Sequence, residues 1–205
     1  SAFETTNDEV LTILEKNHSS VDLANAIEIS QTNNIDIRPT WMPFSPWTNQ
    51  KDLIDIIKLI ENYKLRETVD PIQLTIKLLI PKNSHILQRS EIKGYLKDYD
   101  KNSLSYMWDY KNEEVNILQV SLFNYLLDTP DLDEHSQYLG MVKIIENMTQ
   151  SNLKLDSNYS YKNVPKLSET WFCCAEPSQI QLDRIKTNTA SVSYTHLTLP
   201  TIRLV

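Results

Sequence analysis

The stretch Pro71-Ile-Gln-Leu-Thr-Ile-Lys-Leu-Leu-Ile-Pro81 decides the fold class of this chain. Isoleucine or leucine occupies every second position over Ile72–Ile80, and these residues would share one face of a strand because side chains alternate along an extended backbone. The other face would carry Gln73, Thr75, Lys77 and Leu79. The alternation predicts a strand over Ile72–Ile80 that ends at Pro81.

A second strand and a helix precede this stretch. Ile35–Thr40 alternates apolar and polar residues, which predicts a strand, and the prolines at 39, 43 and 46 stop regular structure after it. Asn49 and Asp52 form a capping pattern that predicts the start of a helix. The apolar stripe of this helix consists of Leu53, Ile56, Ile57, Ile60 and Tyr63. Strand, helix and strand form a βαβ unit, which requires a parallel sheet with a right-handed crossover.

Helices flank this unit on both sides. Capping patterns at Thr6–Glu9 and Ser19–Asp22 predict two helices upstream. Downstream, residues 88–100 are expected to form a short helix or loop, helices are predicted over 112–127 and 134–148, and the chain is irregular over 149–169. Parallel sheets are normally larger and covered on both faces. Further strands are therefore expected upstream of Ser1, and the chain is expected to be a fragment.

Composition excludes several classes of function. The chain has 205 residues, a net charge of −7 with both signs interspersed, and no basic stripe, so nucleic acid is not an expected partner. No apolar run is long enough for a membrane helix, and the start of the chain does not have the pattern of a signal peptide. Gly94 and Gly140 are the only glycines, which excludes a Gly-rich phosphate loop. Two adjacent cysteines exclude a disulfide scaffold and favour a cytoplasmic protein.

The polar faces of the two strands are the first candidate site. In a parallel barrel, functional residues collect at the carboxyl ends of the strands. If the apolar faces pack on helices, the polar faces would line a lumen suited to an anionic ligand. These faces carry Asp36, Arg38 and Thr40 on one strand and Gln73, Thr75 and Lys77 on the other. The alternative is a half-solvated sheet with its polar face in water, and the pattern alone favours that alternative.

Two further segments are candidate functional sites. Trp41-Met-Pro-Phe-Ser-Pro-Trp47 is a rigid apolar loop, which could be a wall of an active site or a packing plug, and the pattern does not decide between them. Cys173 and Cys174 could form a vicinal disulfide, hold one reactive thiolate, or be two inert buried thiols, and the last is the simplest reading. The four histidines are scattered without ligand spacing, so no metal site is predicted.

Four segments of this chain together resemble a known enzyme family. They are Ser1-Ala-Phe-Glu4, Ile37-Arg-Pro-Thr-Trp-Met-Pro-Phe-Ser-Pro-Trp-Thr48, Pro71–Pro81 and the tail Trp171-Phe-Cys-Cys-Ala-Glu-Pro177. The first three resemble the second half of a radical S-adenosylmethionine barrel, closest to relatives that also carry a cobalamin-binding domain. The tail resembles the one that names the CUAEP/CCAEP-tail radical SAM (seleno)proteins, with Cys174 at the position that can be selenocysteine. The resemblance covers about residues 1–180.

This resemblance implies an α/β fold, the C-terminal half of a partial barrel of parallel strands with outer helices. Ser1–Glu4, Ile35–Thr40 and Ile72–Ile80 would be its fourth, fifth and sixth strands. The expected parts are barrel at 1–87, a helical extension at 88–150 and the cysteine tail at 151–190. Residues 191–205 resemble a translated sequencing adapter and are expected to be non-native.

The resemblance also implies cofactors and residue roles. A reduced 4Fe-4S cluster would cleave S-adenosylmethionine, and the resulting radical would abstract hydrogen from an unknown substrate; the use of cobalamin stays open. The cluster cysteines would lie upstream with the rest of the barrel, so the chain alone is expected to be inert. The implied roles are cofactor contact for Glu4, Arg38 and Thr40, lumen lining for Gln73, Lys77 and Trp41, and a redox or hydrogen-donating pair for Cys173 and Cys174.

Two other classes of function remain open from the residues alone. The helix-rich region over 112–148 would also suit a non-catalytic module that binds a protein partner. Cys173 and Cys174 would also suit a thiol-redox protein, which predicts a reactive thiol in this chain by itself.

Overall fold

A computed structural model of the chain describes residues 2–156 and 159–161. Cys173, Cys174 and the adapter-like segment at 191–205 lie outside the described residues, and so do the expectations placed on them. Within the described part, short strands are interspersed among the helices. The strands are β1 (Ala2–Glu4), β2 (Thr40–Trp41), β3 (Leu96–Asp100) and β4 (Ser105–Trp108). The helices are α1 (Asp8–Ile13), α2 (Ser20–Thr32), α3 (Gln50–Asn62), α4 (Ser90–Lys93), α5 (Glu113–Asp128) and α6 (Glu134–Thr149).

Three segments of the chain run parallel, as the βαβ pattern predicts. β1 pairs with β2 in parallel, with Ala2 opposite Thr40 and Glu4 opposite Trp41. A parallel bridge then joins Phe44 to Lys77. The sheet does not close into a barrel within the residues that the structure describes. The chain is therefore a mixed α/β fold, with helices packed around small sheets.

The predicted strand over Ile35–Thr40 is wrong over most of its length. Only Thr40 and Trp41 belong to the ladder, because Pro39 has no N–H to donate and the segment begins at the surface, with Asp36 exposed and Ile35 61% exposed. Alternation in a short solvent-facing segment thus predicted a strand that has no partner.

The strand predicted over Ile72–Ile80 is also wrong in its first half. Pro71–Thr75 forms a 3-10 helix, in which Pro71 occupies the first turn and the hydroxyl of Thr75 donates to the carbonyl of Ile72 at 2.7 Å. Extended backbone begins only at Ile76. Gln73 and Leu74 are neighbours in the chain, yet both are buried. The alternation of apolar and polar residues therefore did not reflect one buried and one exposed face, and it did not predict the conformation of this segment.

An antiparallel hairpin, β3–β4, covers the last parallel segment. The pattern over 88–100 predicted only a short helix or loop; α4 agrees with this, but β3 does not. Tyr106 donates its backbone N–H to Ile80 at 2.8 Å, and the indole of Trp108 donates to the carbonyl of Leu78 at 2.9 Å. The hairpin therefore protects an edge that would otherwise be open.

The longer helices lie where capping and periodicity predict them. Ser19–Asp22 and Asn49–Asp52 form complete capping boxes at α2 and α3. α1 is capped by Asn7 rather than by Thr6, since its side chain accepts from two backbone N–H groups. The buried faces of α2, α3, α5 and α6 form one core, whose members include Ile56, Ile57, Ile60, Leu118, Leu122, Met141, Val142 and Ile145.

Four helices end on left-handed residues that are not glycine. Glu15, Asn34, Lys64 and Gln150 follow α1, α2, α3 and α6 with φ of 55°, 54°, 54° and 52°. The next residue in each case donates its N–H to a carbonyl five positions back, which closes the helix end. This position usually carries glycine, and the side chains here hold a conformation that costs about 1–2 kcal/mol per residue.

One of the two glycines permits a close approach between helices. Gly140 of α6 lies under the ring of Tyr125 from α5, and a Cβ at this position would stand 1.9 Å from the tyrosine oxygen. Among the described helices, none has the length and apolar character to cross a bilayer.

Candidate functional site

A pocket lies at the carboxyl ends of the three parallel segments, and we call it the carboxyl-edge pocket. Its volume is about 410 Å³. The segments that follow β1, β2 and Lys77 supply its base, the end of α1 supplies one side, and the chain after Pro81 supplies the other. The lining residues are Glu4, Ile13, Leu14, Glu15, Lys16, Met42, Leu78, Leu79, Pro81, Ser84, His85, Ile86 and Arg89. In parallel α/β folds this edge is where ligands bind.

Glu4 is the buried charge of this pocket. The residue is 5% exposed, and its carboxylate accepts from the Lys16 ammonium at 2.7 Å. Its backbone has a φ of 64°, while its carbonyl accepts the ladder bond from Met42 at 2.8 Å. Strained backbone of this kind persists where the surroundings over-determine it and is frequent at ligand sites.

A second charged pair lies at the mouth of the pocket. Glu15, adjacent to Lys16, also has a left-handed backbone, and its carboxylate accepts from Arg89 at 2.8 Å. The turn at the end of α1 is therefore tied to the base of the pocket through Lys16 and to its far side through Glu15. Glu4 and Glu15 each meet a cation, so the charges that line the pocket are balanced in pairs.

Apart from Ser84 and His85, the rest of the lining is apolar. Met42 and Ile13 are buried, and Leu78 and Leu79 are half-buried. Small-molecule sites typically have a few charged groups on apolar walls and a volume of about 300–1,000 Å³. The carboxyl-edge pocket has both features. The arrangement suits a ligand with an apolar body and charged or hydrogen-bonding ends.

Two of the residues predicted to line a lumen lie in the core, away from this pocket. The backbone N–H of Trp41 donates to Oε1 of Gln73 at 3.0 Å, and the two residues are 2% and 0% exposed. Trp41 also packs edge-on against Phe3, with ring centroids 5.5 Å apart. The structure thus brings Trp41 and Gln73 together, as packing groups under the sheet. Trp41–Trp47 therefore contributes mainly to the core, while Met42 reaches the pocket.

The remaining predicted site residues are dispersed. Arg38 lies before β2, at the amino edge of the sheet, where it forms an ion pair with Asp70. Thr40 is half-buried opposite Ala2. The Lys77 ammonium lies over the rings of Trp108 and Tyr110, 4.9 and 5.4 Å from their centroids. Of the three residues predicted to contact the cofactor, only Glu4 lies in the pocket, because Arg38 precedes β2 and Thr40 is its first residue.

A charged and aromatic cluster lies at the opposite, amino edge of the sheet. Arg66 is 4% exposed and forms a two-bond ion pair with Glu61, which also accepts from the hydroxyl of Tyr138 at 2.7 Å. The Arg66 guanidinium lies 4.1 Å from the ring centroid of Tyr159, whose hydroxyl donates to Glu67. Burial raises the pKa of Tyr138 and of Tyr159, and the adjacent carboxylates add to the effect. Each of these charged and aromatic side chains is paired with another residue of the same chain. The cluster therefore holds the chain after α6 against α3.

Sequence reasoning missed Lys16, His85 and Arg89 in the pocket. Lys16 and Arg89 each lie just beyond the end of a helix, and His85 begins a 3-10 helix. The local pattern does not separate any of the three from an ordinary surface residue. The available signal was position, since charged residues that follow strands of a parallel sheet collect at one edge.

No group of three or more His, Cys, Asp or Glu side chains in residues 2–156 and 159–161 has an arrangement that could hold a metal ion. No protein-family model matches the chain, and neither the curated proteins nor the solved structures gave a match.

Proposed function

We propose that the chain forms the second half of the barrel of a radical S-adenosylmethionine enzyme, and that the carboxyl-edge pocket binds its cofactor. One observation carries the proposal. Glu4, which the family resemblance assigns to the end of the fourth strand beside the cofactor, is a buried carboxylate at the base of a small-molecule pocket.

The residues of the pocket fit S-adenosylmethionine. The ligand has an adenine ring, ribose hydroxyls and a zwitterionic amino-acid end. The apolar walls at Met42, Leu78 and Ile86 would cover the ring, and the carboxylate of Glu4 would accept from a hydroxyl or an ammonium group. Lys16 would hold the carboxylate of Glu4 in position when no ligand is bound.

The iron–sulfur cluster does not fit the described residues. Neither cysteine of the chain lies within them, and thiolates are the ligands that such a cluster needs. In the whole enzyme, the cluster would supply the electron that starts the radical chemistry. Its cysteines would come from the preceding half of the barrel, which would pair with the edge of β1 that no strand of the described residues occupies. The chain by itself would bind cofactor without turnover.

Calorimetric titration of the whole chain with S-adenosylmethionine tests the proposal. We expect saturable binding that weakens about tenfold or more in Glu4→Gln, as for loss of a hydrogen bond to a charged group. Glu9→Gln, an exposed change on α1, is the matched control. Leu79→Trp, which fills the pocket, provides an independent variant if Glu4→Gln does not fold. Absence of binding, or binding that neither pocket variant alters, would contradict the proposal.

A test of the tail cysteines requires the full-length enzyme. We propose that Cys173 and Cys174 act as a redox or hydrogen-donating pair, which the tail motif Trp171–Pro177 supports. Cys174→Ser should then lower turnover, and unchanged turnover would refute this role.

One observation favours the partner-binding alternative. Ile117, Val120 and Leu127 lie on one face of α5 and are 52%, 45% and 38% exposed. Exposed aliphatic residues are common on protein surfaces, so this face is weaker support than a pocket with a buried carboxylate.

A further inference from the structure

Arg89 lies on the far side of the carboxyl-edge pocket from α1. It connects the 3-10 helix His85–Gln88 to α4, and its side chain is 30% exposed. The end of α1 faces it across the mouth of the pocket through Glu15. Arg89 is therefore the guanidinium that a ligand in this pocket would meet.

The hydrogen bonds of Arg89 are incomplete. Nη1 donates to Glu15 at 2.8 Å and Nη2 donates to Glu91 at 3.2 Å. Nε is buried and has no hydrogen-bond partner within the described part of the chain. Both acceptors are exposed, at 64% and 38% of their side chains, and exposed ion pairs of this kind are weak. A stronger acceptor could therefore replace them.

Arg66 of the same protein is an arginine whose Nε and Nη2 both have hydrogen-bond acceptors. Its Nε and Nη2 form one edge that donates two bonds to the carboxylate of Glu61. The same edge of Arg89 has only the 3.2 Å bond from Nη2, and its Nε has none. A carboxylate is the group that matches this pair of parallel donors.

Of the two carboxylates that line the pocket, only Glu15 competes with an incoming carboxylate for Arg89. Glu4 already accepts from Lys16 at 2.7 Å. The nearest competitor is Glu15, which occupies Nη1 of Arg89 from an exposed position. Removal of the Glu15 charge should therefore favour a negatively charged ligand.

We propose that Arg89 is the specificity residue of the carboxyl-edge pocket and selects ligands that carry a carboxylate on an apolar body. This inference rests on the proposed function in one respect, that the pocket is the ligand site. The carboxylate could belong to the amino-acid end of the cofactor or to the substrate. The chemistry of recognition is the same in both cases.

Two matched pairs of probes distinguish these sources in calorimetric titrations of the whole chain. The first pair is S-adenosylmethionine and its decarboxylated form, and the second is 4-phenylbutyrate and 4-phenylbutanamide. We expect at least one carboxylate to bind about tenfold tighter than its partner, as for a hydrogen-bonded charged group. Discrimination in the first pair assigns Arg89 to the cofactor, and discrimination in the second pair alone assigns it to the substrate.

Variants on both sides of the mouth separate recognition from structure. Arg89→Gln should abolish the discrimination, and Arg89→Lys should retain only part of it, since a lysine has no two-donor edge. Glu15→Gln should strengthen carboxylate binding by about two- to fivefold, the range for removing an exposed competing ion pair. Glu9→Gln should change nothing. If the pair only stabilises the fold, Arg89→Gln and Glu15→Gln will instead alter binding in the same direction.

The outcomes also separate this inference from the proposed function. Binding of S-adenosylmethionine with no preference for a carboxylate in either pair would overturn the role of Arg89 alone. A preference for 4-phenylbutyrate that depends on Arg89, without binding of S-adenosylmethionine, would support the role of Arg89 and contradict the cofactor assignment.

Discussion

The side-chain amide of Asn7 donates to both carboxylate oxygens of Asp52, at 3.1 Å each, and so joins the N-termini of α1 and α3. Asn7 caps α1 through its oxygen, and Asp52 completes the capping box of α3. Asp52 is 6% exposed. Two helix caps therefore share one buried hydrogen-bond network beside the first strand.

Asn7→Ala should cost more than an ordinary cap. The variant loses the cap of α1 and also leaves a buried carboxylate short of donors, so we expect a loss of about 2–3 kcal/mol in the free energy of unfolding. Ser19→Ala removes the cap of α2, in which the Ser19 hydroxyl bonds to Asp22 of the same helix, and should cost about 1 kcal/mol. Denaturant unfolding measures both, and equal losses would show that the link to Asp52 contributes nothing.

Asp52 should give the protein a distinct pH dependence. Burial raises the pKa of Asp52 above its ordinary value of 3.8, although the bonds from Asn49 and Asn7 oppose this. The folded state then binds a proton at a pH where the unfolded chain does not. The contribution of Asp52 to stability is therefore fully present below pH 3.8 and is lost as the pH rises through the raised pKa.

Comparison with Asp52→Asn isolates this effect. The free energy of unfolding of the native protein should rise relative to that of the variant as the pH falls through the acidic range. Denaturant titrations at several acidic pH values measure the difference. A difference that falls instead would mean that hydrogen bonds to the carboxylate outweigh its burial.

The left-handed residue after α3 offers a stabilising substitution. Lys64 is exposed and has a φ of 54°, so Lys64→Gly should relieve backbone strain and gain about 0.5–1 kcal/mol. Lys58→Gly is the matched control, since Lys58 is exposed within α3 and the change should cost about 1 kcal/mol. Thermal unfolding should therefore shift in opposite directions, and a shared direction would contradict the assignment of strain.

The Arg66 cluster should dominate the electrostatic contribution to stability. Arg66→Gln leaves the carboxylate of Glu61, only 8% exposed, without its cation, and we expect a loss of about 3–5 kcal/mol. Arg38→Gln removes a more exposed ion pair with Asp70 and should cost about 1 kcal/mol or less. Similar losses in chemical denaturation would mean that burial does not distinguish the two arginines.

Helices were the part of the fold that the sequence predicted well. Ser19–Asp22 and Asn49–Asp52 are local signals, because the cap and its partner lie within one turn of each other. The stripe from Leu53 to Ile60 needs only an apolar surface to pack against, and its buried side chains met one. These features depend on neighbours in the chain rather than on distant contacts.

Strands were predicted less well because a strand exists only where a partner pairs with it. Pro71–Thr75 alternates like a strand but turns as a 3-10 helix, while β3 and β4 have little alternation and form a hairpin against Ile80. Pairing is a long-range contact, so no local pattern determined which residues would be extended.

The sequence by itself determined the α/β class, the parallel order of the first segments and the starts of the long helices, because caps and periodicity act within a few residues. Only the tertiary structure decided the pocket. It brought Glu4, Lys16 and Arg89 to one edge, whereas Arg38 went to the opposite edge and Gln73 into the core. A site is a set of distances between residues far apart in the chain, and those distances follow from how the helices pack on the sheet.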